Sequence, residues 1–193
     1  MSSEASPERV LMIGPMAVGK TTTSALLAKA LALPHIELDT FCQEYYDQAG
    51  FDLTELRKLR QQDRAIGSAY MHRFLAGAAV RLVQDHATGV LDFGAGHVIH
   101  QDPEVFGLVE ATFTPFPNVV LLVPSPDPET SYQYLNDRIL ARVKEYGDDY
   151  RWAIEANRGF ITDPSNLRLA KIVVYTMNKS PEQVVAEIID RLH

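Results

Sequence analysis

Residues 14–21 constrain the fold of this chain more than any other stretch. Their sequence, Gly-Pro-Met-Ala-Val-Gly-Lys-Thr, fits G-x-x-x-x-G-K-[ST], the loop that cradles the phosphates of a nucleotide. A short apolar run at 10–13 precedes the loop and predicts a strand, and residues 22–31 are typical of a helix. Because strand, loop and helix follow one another as the motif requires, we expect this segment to bind a nucleoside triphosphate.

The residue types in this loop have physical roles. Gly14 and Gly19 permit backbone angles and close approaches that a Cβ atom forbids. The loop amides and the N-terminus of the following helix then offer positive charge to the phosphates. Lys20 is expected to reach the β- and γ-phosphates, and the Thr21 hydroxyl to take a Mg²⁺ coordination position. The nucleotide-binding residues predicted here are Gly14, Met16, Ala17, Val18, Gly19, Lys20, Thr21 and Thr22.

Composition indicates one compact domain. The chain has 193 residues, of which 46% are hydrophobic and 22% charged, values typical of soluble globular proteins. Residues 1–8 are polar and predicted to be disordered, so we expect the domain to span 9–193. We expect this domain to be a monomer or a homodimer.

Charge and cysteine content exclude some classes of partner and bond. A net charge of -7 argues against nucleic acid as a partner, and the single cysteine, Cys42, excludes an intrachain disulfide. No apolar run reaches membrane-spanning length, so we expect a cytoplasmic protein without a membrane partner.

Apolar runs that alternate with helical patterns predict an α/β fold with a parallel sheet. The predicted strands are 9–13, 35–38, 89–93, 118–123 and 171–175. The predicted helices after the phosphate loop are 40–48, 53–62, 64–86, 103–110, 128–145, 149–158 and 181–192. The runs at 119–123 and 172–175 suit central strands that are covered on both faces.

Acidic residues follow two of these strands, at the edge where ligands of parallel sheets gather. Strand two ends in Glu37-Leu38-Asp39, and strand alternation predicts both carboxylates on the same side. Asp39 suits a base for an attacking hydroxyl and Glu37 a metal ligand, although Asp39 is also a plausible helix N-cap. Asp92 ends strand three, where a P-loop protein usually has its second metal anchor.

The turn after Asp92 contains Gly94, Ala95 and Gly96, whose amides could approach a substrate closely, or which form a simple tight turn. His97 could hydrogen-bond a substrate there. Together with His100 it could also bind a metal, but no third ligand is evident, so a polar wall is the preferred interpretation.

The loop at 14–21, the pair Glu37 and Asp39, Arg73, and the turn at 94–96 together resemble the shikimate kinase family of small P-loop kinases. The resemblance implies a three-layer fold with a five-stranded parallel sheet in the order 2-3-1-4-5, helices on both faces and a helical lid. It also implies ATP and Mg²⁺ as cofactors and a small molecule as phosphoryl acceptor.

The resemblance also assigns roles to individual residues. It implies that Asp39 binds the substrate hydroxyl, Arg73 a substrate carboxylate, and Arg138 the transferring phosphoryl group from a lid at about 136–166. Substrate-binding helices are implied at about 40–86. The segment 176–181, with Asn178 and Lys179, resembles the part of the family that packs beside adenine.

The chain departs from the family pattern at several positions. Ala95 replaces the middle glycine of the family's triple, and the family's Arg-Pro lid pair is missing around Arg138. A helix-sized segment at 51–62 separates Asp39 from Arg73. The second substrate arginine expected before strand five has no match in 157–166. Since two arginines form a natural clamp for a carboxylate, these departures predict an acceptor other than shikimate.

Three functions remain open from the sequence. The first is an ATP- and Mg²⁺-dependent kinase that phosphorylates a hydroxyl of a small polar metabolite. The second is a nucleoside or nucleotide kinase, whose acceptor base would stack on aromatic side chains. The third is a regulatory nucleotide-binding module without a small-molecule acceptor.

Overall fold

The computed structural model describes residues 8–146 and 152–193, and these form a parallel sheet between two layers of helices. The strands are β1 (Arg9–Ile13), β2 (His35–Glu37), β3 (Gly89–Asp92), β4 (Val119–Val123) and β5 (Ile172–Tyr175). The helices are α1 (Lys20–Leu31), α2 (Leu38–Gln48), α3 (Leu53–Gln62), α4 (Arg64–Asp85), α5 (Pro103–Phe113), α6 (Pro128–Tyr146), α7 (Trp152–Thr162), α8 (Ser165–Leu169) and α9 (Pro181–Ile189). The five strands lie in the order β2-β3-β1-β4-β5, which confirms the predicted fold class.

Strand alternation divides the core into two halves. Val10 and Met12 of β1 pack on the face that α1, α6 and α9 cover, and Leu11 and Ile13 pack on the face that α2, α4 and α5 cover. All four side chains are fully buried. The central strand is therefore apolar at every buried position, as expected for a parallel sheet between two helical layers.

Most predicted elements are present, with shifted ends. Strand β1 and helix α3 have the predicted bounds, whereas α1 starts at Lys20 because Gly19 takes the left-handed conformation at its N-cap (φ 101°). Helix α9 begins as predicted at Pro181 after a Ser180 cap, and Gln183 completes a capping box. The sequence did not predict α8 or the 3₁₀ turn at Ala95–His97. Residues 1–7 of the predicted tail, and residues 149–151 of the predicted helix at 149–158, lie outside the described residues.

Strand β5 is an edge strand, so the prediction that residues 172–175 form a central strand was wrong. It pairs with β4 alone, and Tyr175 is 40% exposed. The apolar run arises because Ile172 and Val174 bury one face against α9. The outer edge is capped where Arg191 Nη1 donates to Val173 O at 2.7 Å.

No helix among the described residues is both long and apolar enough to cross a membrane.

Candidate active site

The predicted phosphate loop connects β1 to α1 and has the backbone that its motif requires. Gly14 (φ 144°) and Gly19 (φ 101°) have positive φ, and Ala17 also adopts the left-handed region (φ 61°). A Cβ atom on Gly14 would collide with the main chain of Leu122, so only glycine fits at this point. Strain at a non-glycine residue such as Ala17 is typical of functional loops.

The Lys20 side chain folds over this loop. Its Nζ donates to Gly14 O at 2.9 Å and to Pro15 O at 3.0 Å, so the loop itself holds the ammonium group in place. Burial lowers the pKa of Lys20, and the negative charges of Asp92 and Asp39 partly oppose that effect. An added negative charge, such as that of a phosphate, would therefore stabilise the charged form of Lys20.

Carboxylates from β2 and β3 meet beside this lysine. The parallel register places Glu37 next to Asp92, and Glu37 also lies 3.6 Å from His35 Nδ1. Asp92 is buried, which raises its pKa, while the Lys20 charge and a hydrogen bond from Thr21 act in the opposite direction. Carboxylate and hydroxyl oxygens are the donors that Mg²⁺ prefers, so this set of side chains fits that ion.

Asp39 reaches the site by a different route from the one predicted. Strand β2 ends at Glu37 and Asp39 lies in the first turn of α2, so the strand-alternation argument for the two carboxylates was wrong. The alternative N-cap role for Asp39 is also wrong, because Glu37 is the N-cap residue and makes no side-chain capping bond. The short β2 strand passes directly into α2, and the first turn of that helix carries Asp39 to the cavity.

One cavity of about 470 Å³ brings most of the predicted site residues together. Those that line it are Met16, Ala17, Lys20, Thr21, Glu37, Asp39, Asp92, Gly94, Ala95, Gly96 and His97. Four apolar side chains that the sequence did not single out as site residues complete the wall: Leu75, Phe93, Trp152 and Phe160. The cavity thus has a charged end at the phosphate loop and an aromatic wall that α7 supplies through Trp152 and Phe160.

His97 forms a hydrogen-bonded cluster behind Asp39. Its Nε2 lies 2.9 Å from Tyr46 Oη and 3.2 Å from Cys42 Sγ. Burial lowers the pKa of His97 and raises that of Cys42 to about 11, so both groups are neutral at neutral pH. His97, Cys42 and Asp39 offer one ligand atom each within 4.8 Å of one another. The Nε2 of His97 is engaged by its two hydrogen-bond partners, whereas its buried Nδ1 has no partner among the described residues.

His100 belongs to a different contact. Its Nδ1 lies 2.9 Å from His72 Nδ1 and its Nε2 donates to His97 O at 3.1 Å. Of the two histidines, His97 lines the cavity and His100 does not, and the polar wall stays a prediction.

Gly94 should not tolerate a side chain. A Cβ atom there would lie 2.5 Å from His97 Nδ1 and 3.1 Å from Asp39 Oδ1. We expect Gly94→Ala to displace both groups and to lower the free energy of unfolding by about 1–3 kcal/mol, the usual cost of overpacking. Gly77→Ala, in α4 where a Cβ atom meets nothing within 4 Å, is the matched control. Urea unfolding of the two variants measures the difference, and equal stabilities would contradict the expectation.

Two predicted arginines lie outside this cavity. Arg73 is exposed on α4, and it lines a separate surface cleft with Tyr45, Phe74 and Arg81. Leu75, two residues further along α4, faces the cavity instead, because two helical residues subtend about 200°. The placement of Arg73 beside Asp39 and Gly94 was therefore wrong.

Arg138 is exposed on α6, with its guanidinium 5.8 Å above the ring of Tyr134, so the structure does not place it at the phosphate loop. Among the described residues that line the cavity, Lys20 is the only lysine or arginine. Residues 147–151 of the predicted lid lie outside the described part of the chain.

The remaining nucleotide-binding candidates occupy two places. Val18 is 3% exposed and packs in the core beneath the loop, so only its main chain is free to bind phosphate. Thr22 is exposed in the first turn of α1. Beyond β5, Asn178 is exposed with a left-handed backbone (φ 63°), and Lys179 pairs with Glu187 of α9. Their predicted place beside adenine stays a prediction.

Sequence reasoning missed one polar residue of the site, Asn157 of α7. Its side-chain amide bonds to both backbone groups of Met16 in the phosphate loop. No motif marks this position. The only sequence signal is an asparagine on the apolar side of a helix.

Comparison with known proteins supports the P-loop fold that the geometry shows. No model of a known protein family matches the chain. A shikimate kinase from Enterococcus faecalis is 26% identical over 199 residues, which cover 96% of this chain and 98% of that protein. The structure of a shikimate kinase from Acinetobacter baumannii in complex with shikimate superposes with a TM-score of 0.58 and 17% identity, covering 95% of this chain and 92% of the other.

A shikimate kinase from Bacteroides thetaiotaomicron gives a TM-score of 0.52 with 16% identity, and the match covers 95% of this chain and 94% of that one. The solved structures establish the fold, and the relative from Enterococcus extends the likeness over nearly the whole sequence. The predicted resemblance is confirmed: the chain is similar to shikimate kinases, which are P-loop phosphotransferases, over nearly its whole length.

Proposed function

We propose that this protein transfers the γ-phosphoryl group of ATP, in a Mg²⁺-dependent reaction, to a hydroxyl of a small polar metabolite. One observation carries the proposal. The phosphate-loop lysine, the Thr21 hydroxyl, a buried carboxylate and an exposed one all line a single cavity. A phosphoryl transfer needs these groups together, because its catalysis consists mainly of positioning and charge stabilisation.

Each group has a role in this proposal. Lys20 and the loop amides bind the phosphates, and Thr21 with Asp92 and Glu37 would hold Mg²⁺, directly or through water. When bound, the ion would neutralise charge on the phosphate oxygens. Asp39 orients the acceptor hydroxyl and accepts its proton. Asn178 and Lys179 contact adenine, and Arg138 reaches the site only if the lid closes.

The lining of the acceptor end favours an uncharged acceptor. Among the described residues that line the cavity there is no arginine, and Asp39 is the carboxylate assigned to the acceptor. A carboxylate such as that of shikimate would meet repulsion there without a guanidinium partner. We therefore propose that the acceptor is a neutral polyol or a comparable hydroxylated metabolite and not shikimate, with its hydroxyl against Asp39 and its carbon skeleton against Phe93 and Phe160.

An acceptor screen with γ-labelled ATP tests the proposal. Sugars, cyclitols, nucleosides and shikimate are incubated with the protein, and the Lys20→Ala variant serves as the control for contaminating kinases. We expect labelled product with a neutral polyol and none with shikimate. Efficient labelling of shikimate would overturn the acceptor class and leave the kinase activity intact. Absence of transfer to every acceptor, with only slow ATP hydrolysis, would favour a regulatory module.

A second candidate is a nucleoside kinase, because two aromatic side chains of α7, Trp152 and Phe160, line the cavity. Such rings could stack on a base. Labelling confined to the nucleosides in the same screen would select this candidate.

Replacement of Arg73 distinguishes the proposed acceptor site from the carboxylate-binding site that the family resemblance implies. Since its side chain is exposed and outside the cavity, we expect Arg73→Ala to change kcat/KM by no more than about twofold, the size of an ordinary surface effect. Steady-state kinetics with the acceptor found in the screen measures the change. A loss that appears as a large rise in the acceptor KM would show that Arg73 reaches the acceptor after all.

A further inference from the structure

Asn157 of α7 joins the phosphate loop to the rest of the cavity wall. Met16 N–H donates to Asn157 Oδ1 at 2.9 Å, and Asn157 Nδ2 donates to Met16 O at 3.1 Å. The asparagine is fully buried at 0% exposure. A primary amide can pair with both backbone groups of one residue in this way, whereas a hydrocarbon or a carboxylate side chain cannot.

The two ends of this contact belong to different parts of the proposed reaction. Met16 lies within the loop that the nucleotide phosphates occupy, between Gly14 and Lys20. Helix α7 carries Trp152 and Phe160, which line the same cavity on the acceptor side. Asn157 lies between these two aromatic residues in the sequence, so its hydrogen bonds fix the distance between loop and aromatic wall.

A second buried asparagine nearby provides a comparison for this bridge. Asn166 of α8 is 4% exposed and donates to Phe160 O at 2.9 Å, which ties α8 to α7. It reaches no residue of the phosphate loop in the described hydrogen bonds. Both asparagines are buried and donate to a main-chain oxygen, but Asn157 also accepts from the loop, whereas Asn166 Oδ1 has no partner among the described residues.

We propose that Asn157 is a positioning residue that couples the phosphate loop to the acceptor wall. Binding of a nucleotide shifts or stiffens the loop, and the paired hydrogen bonds transmit that change to α7. Phosphoryl group and acceptor hydroxyl are thereby held at transfer distance, where an error of about 1 Å costs about 10²-fold in rate. This inference rests on the proposed function and adds to it the residue that aligns the two substrates.

Trp152 provides the readout, because it is the only tryptophan of the chain and lies on α7. MgADP is titrated into the purified protein, and binding is followed by calorimetry and by Trp152 fluorescence in parallel. We expect wild type to bind MgADP with a change in Trp152 fluorescence. In Asn157→Ala the calorimetric affinity should persist, while the fluorescence change falls by about fivefold or more. Asn166→Ala, the matched control, should keep the full fluorescence change.

Asn157→Asp tests the paired hydrogen bonds themselves, because its protonation state decides whether both can form. The carboxylate form has two acceptors and repels Met16 O, whereas the protonated form can donate to that oxygen and restore both bonds. We expect the Trp152 response of this variant to recover as the pH is lowered, relative to wild type at the same pH. The variant is close to isosteric, so it also serves if Asn157→Ala does not fold.

The outcomes separate this inference from the proposed function. The coupling role is overturned, while the kinase proposal stands, if wild type binds MgADP and Trp152 does not respond. It is also overturned if Asn157→Ala, or Asn157→Asp at neutral pH, responds as wild type does. If folded wild type binds no magnesium nucleotide at all, the proposed function fails and this inference fails with it.

Discussion

Replacement of Lys20 by alanine should lower turnover by about 10³-fold, the loss expected when a preorganised charge is removed from a phosphoryl-transfer site. Hydrogen bonds to Gly14 O and Pro15 O hold the Lys20 ammonium at the loop where the phosphates are expected to bind. Its buried position makes the interaction with phosphate stronger than it would be in water. Initial rates with the identified acceptor measure the effect.

Lys29→Ala is the matched control, since Lys29 lies in the last turn of the same helix and is exposed. Its turnover should equal that of wild type, and both variants should unfold at similar urea concentrations. A Lys20→Ala enzyme that keeps most of its turnover would show that the loop lysine does not bind the transferring group.

Replacement of Asp39 by asparagine should preserve ATP binding and abolish most of the transfer. Asparagine keeps the shape of the side chain at the cavity wall but cannot accept a proton, so we expect kcat to fall by about 10²–10⁴-fold. The affinity for MgATP, measured by calorimetry, should change little, because Asp39 lies on α2 and is not part of the phosphate loop.

Asp47→Asn provides the comparison for this variant. Asp47 is an exposed aspartate of the same helix, where it accepts a hydrogen bond from Gln43, and its replacement should leave transfer unchanged. Normal transfer by Asp39→Asn would remove Asp39 as the base, and Glu37 would be the next residue to replace.

The phosphate loop could be predicted because its chemistry is local. Its glycines, lysine and threonine are adjacent in sequence, and the strand and helix on either side of it are strongly patterned. Element order also followed from pattern, since short apolar runs alternate with helical ones. The edge position of β5 could not be obtained this way, because apolarity of a strand reflects burial of its faces and not the number of its neighbours.

Sites that depend on helix rotation were harder to predict. The resemblance to shikimate kinases suggested Arg73 for the acceptor site, but each residue of a helix turns by about 100°, so an error of two residues moves a side chain to the other face. Asp39 was assigned correctly to the cavity for the wrong reason, as it projects from a helix and not from a strand. Asn157 pairs with a residue 141 positions away, and nothing local marks such a contact.

The two margins of the sheet also bear on how this protein behaves in concentrated solution. An open strand offers main-chain groups on which a second molecule can extend the ladder, which is the first step of many aggregation reactions. Here β2 has only three residues, and the Arg191 guanidinium occupies the Val173 carbonyl on β5. Each lateral border therefore offers an incoming strand fewer main-chain groups for pairing than a long open strand would.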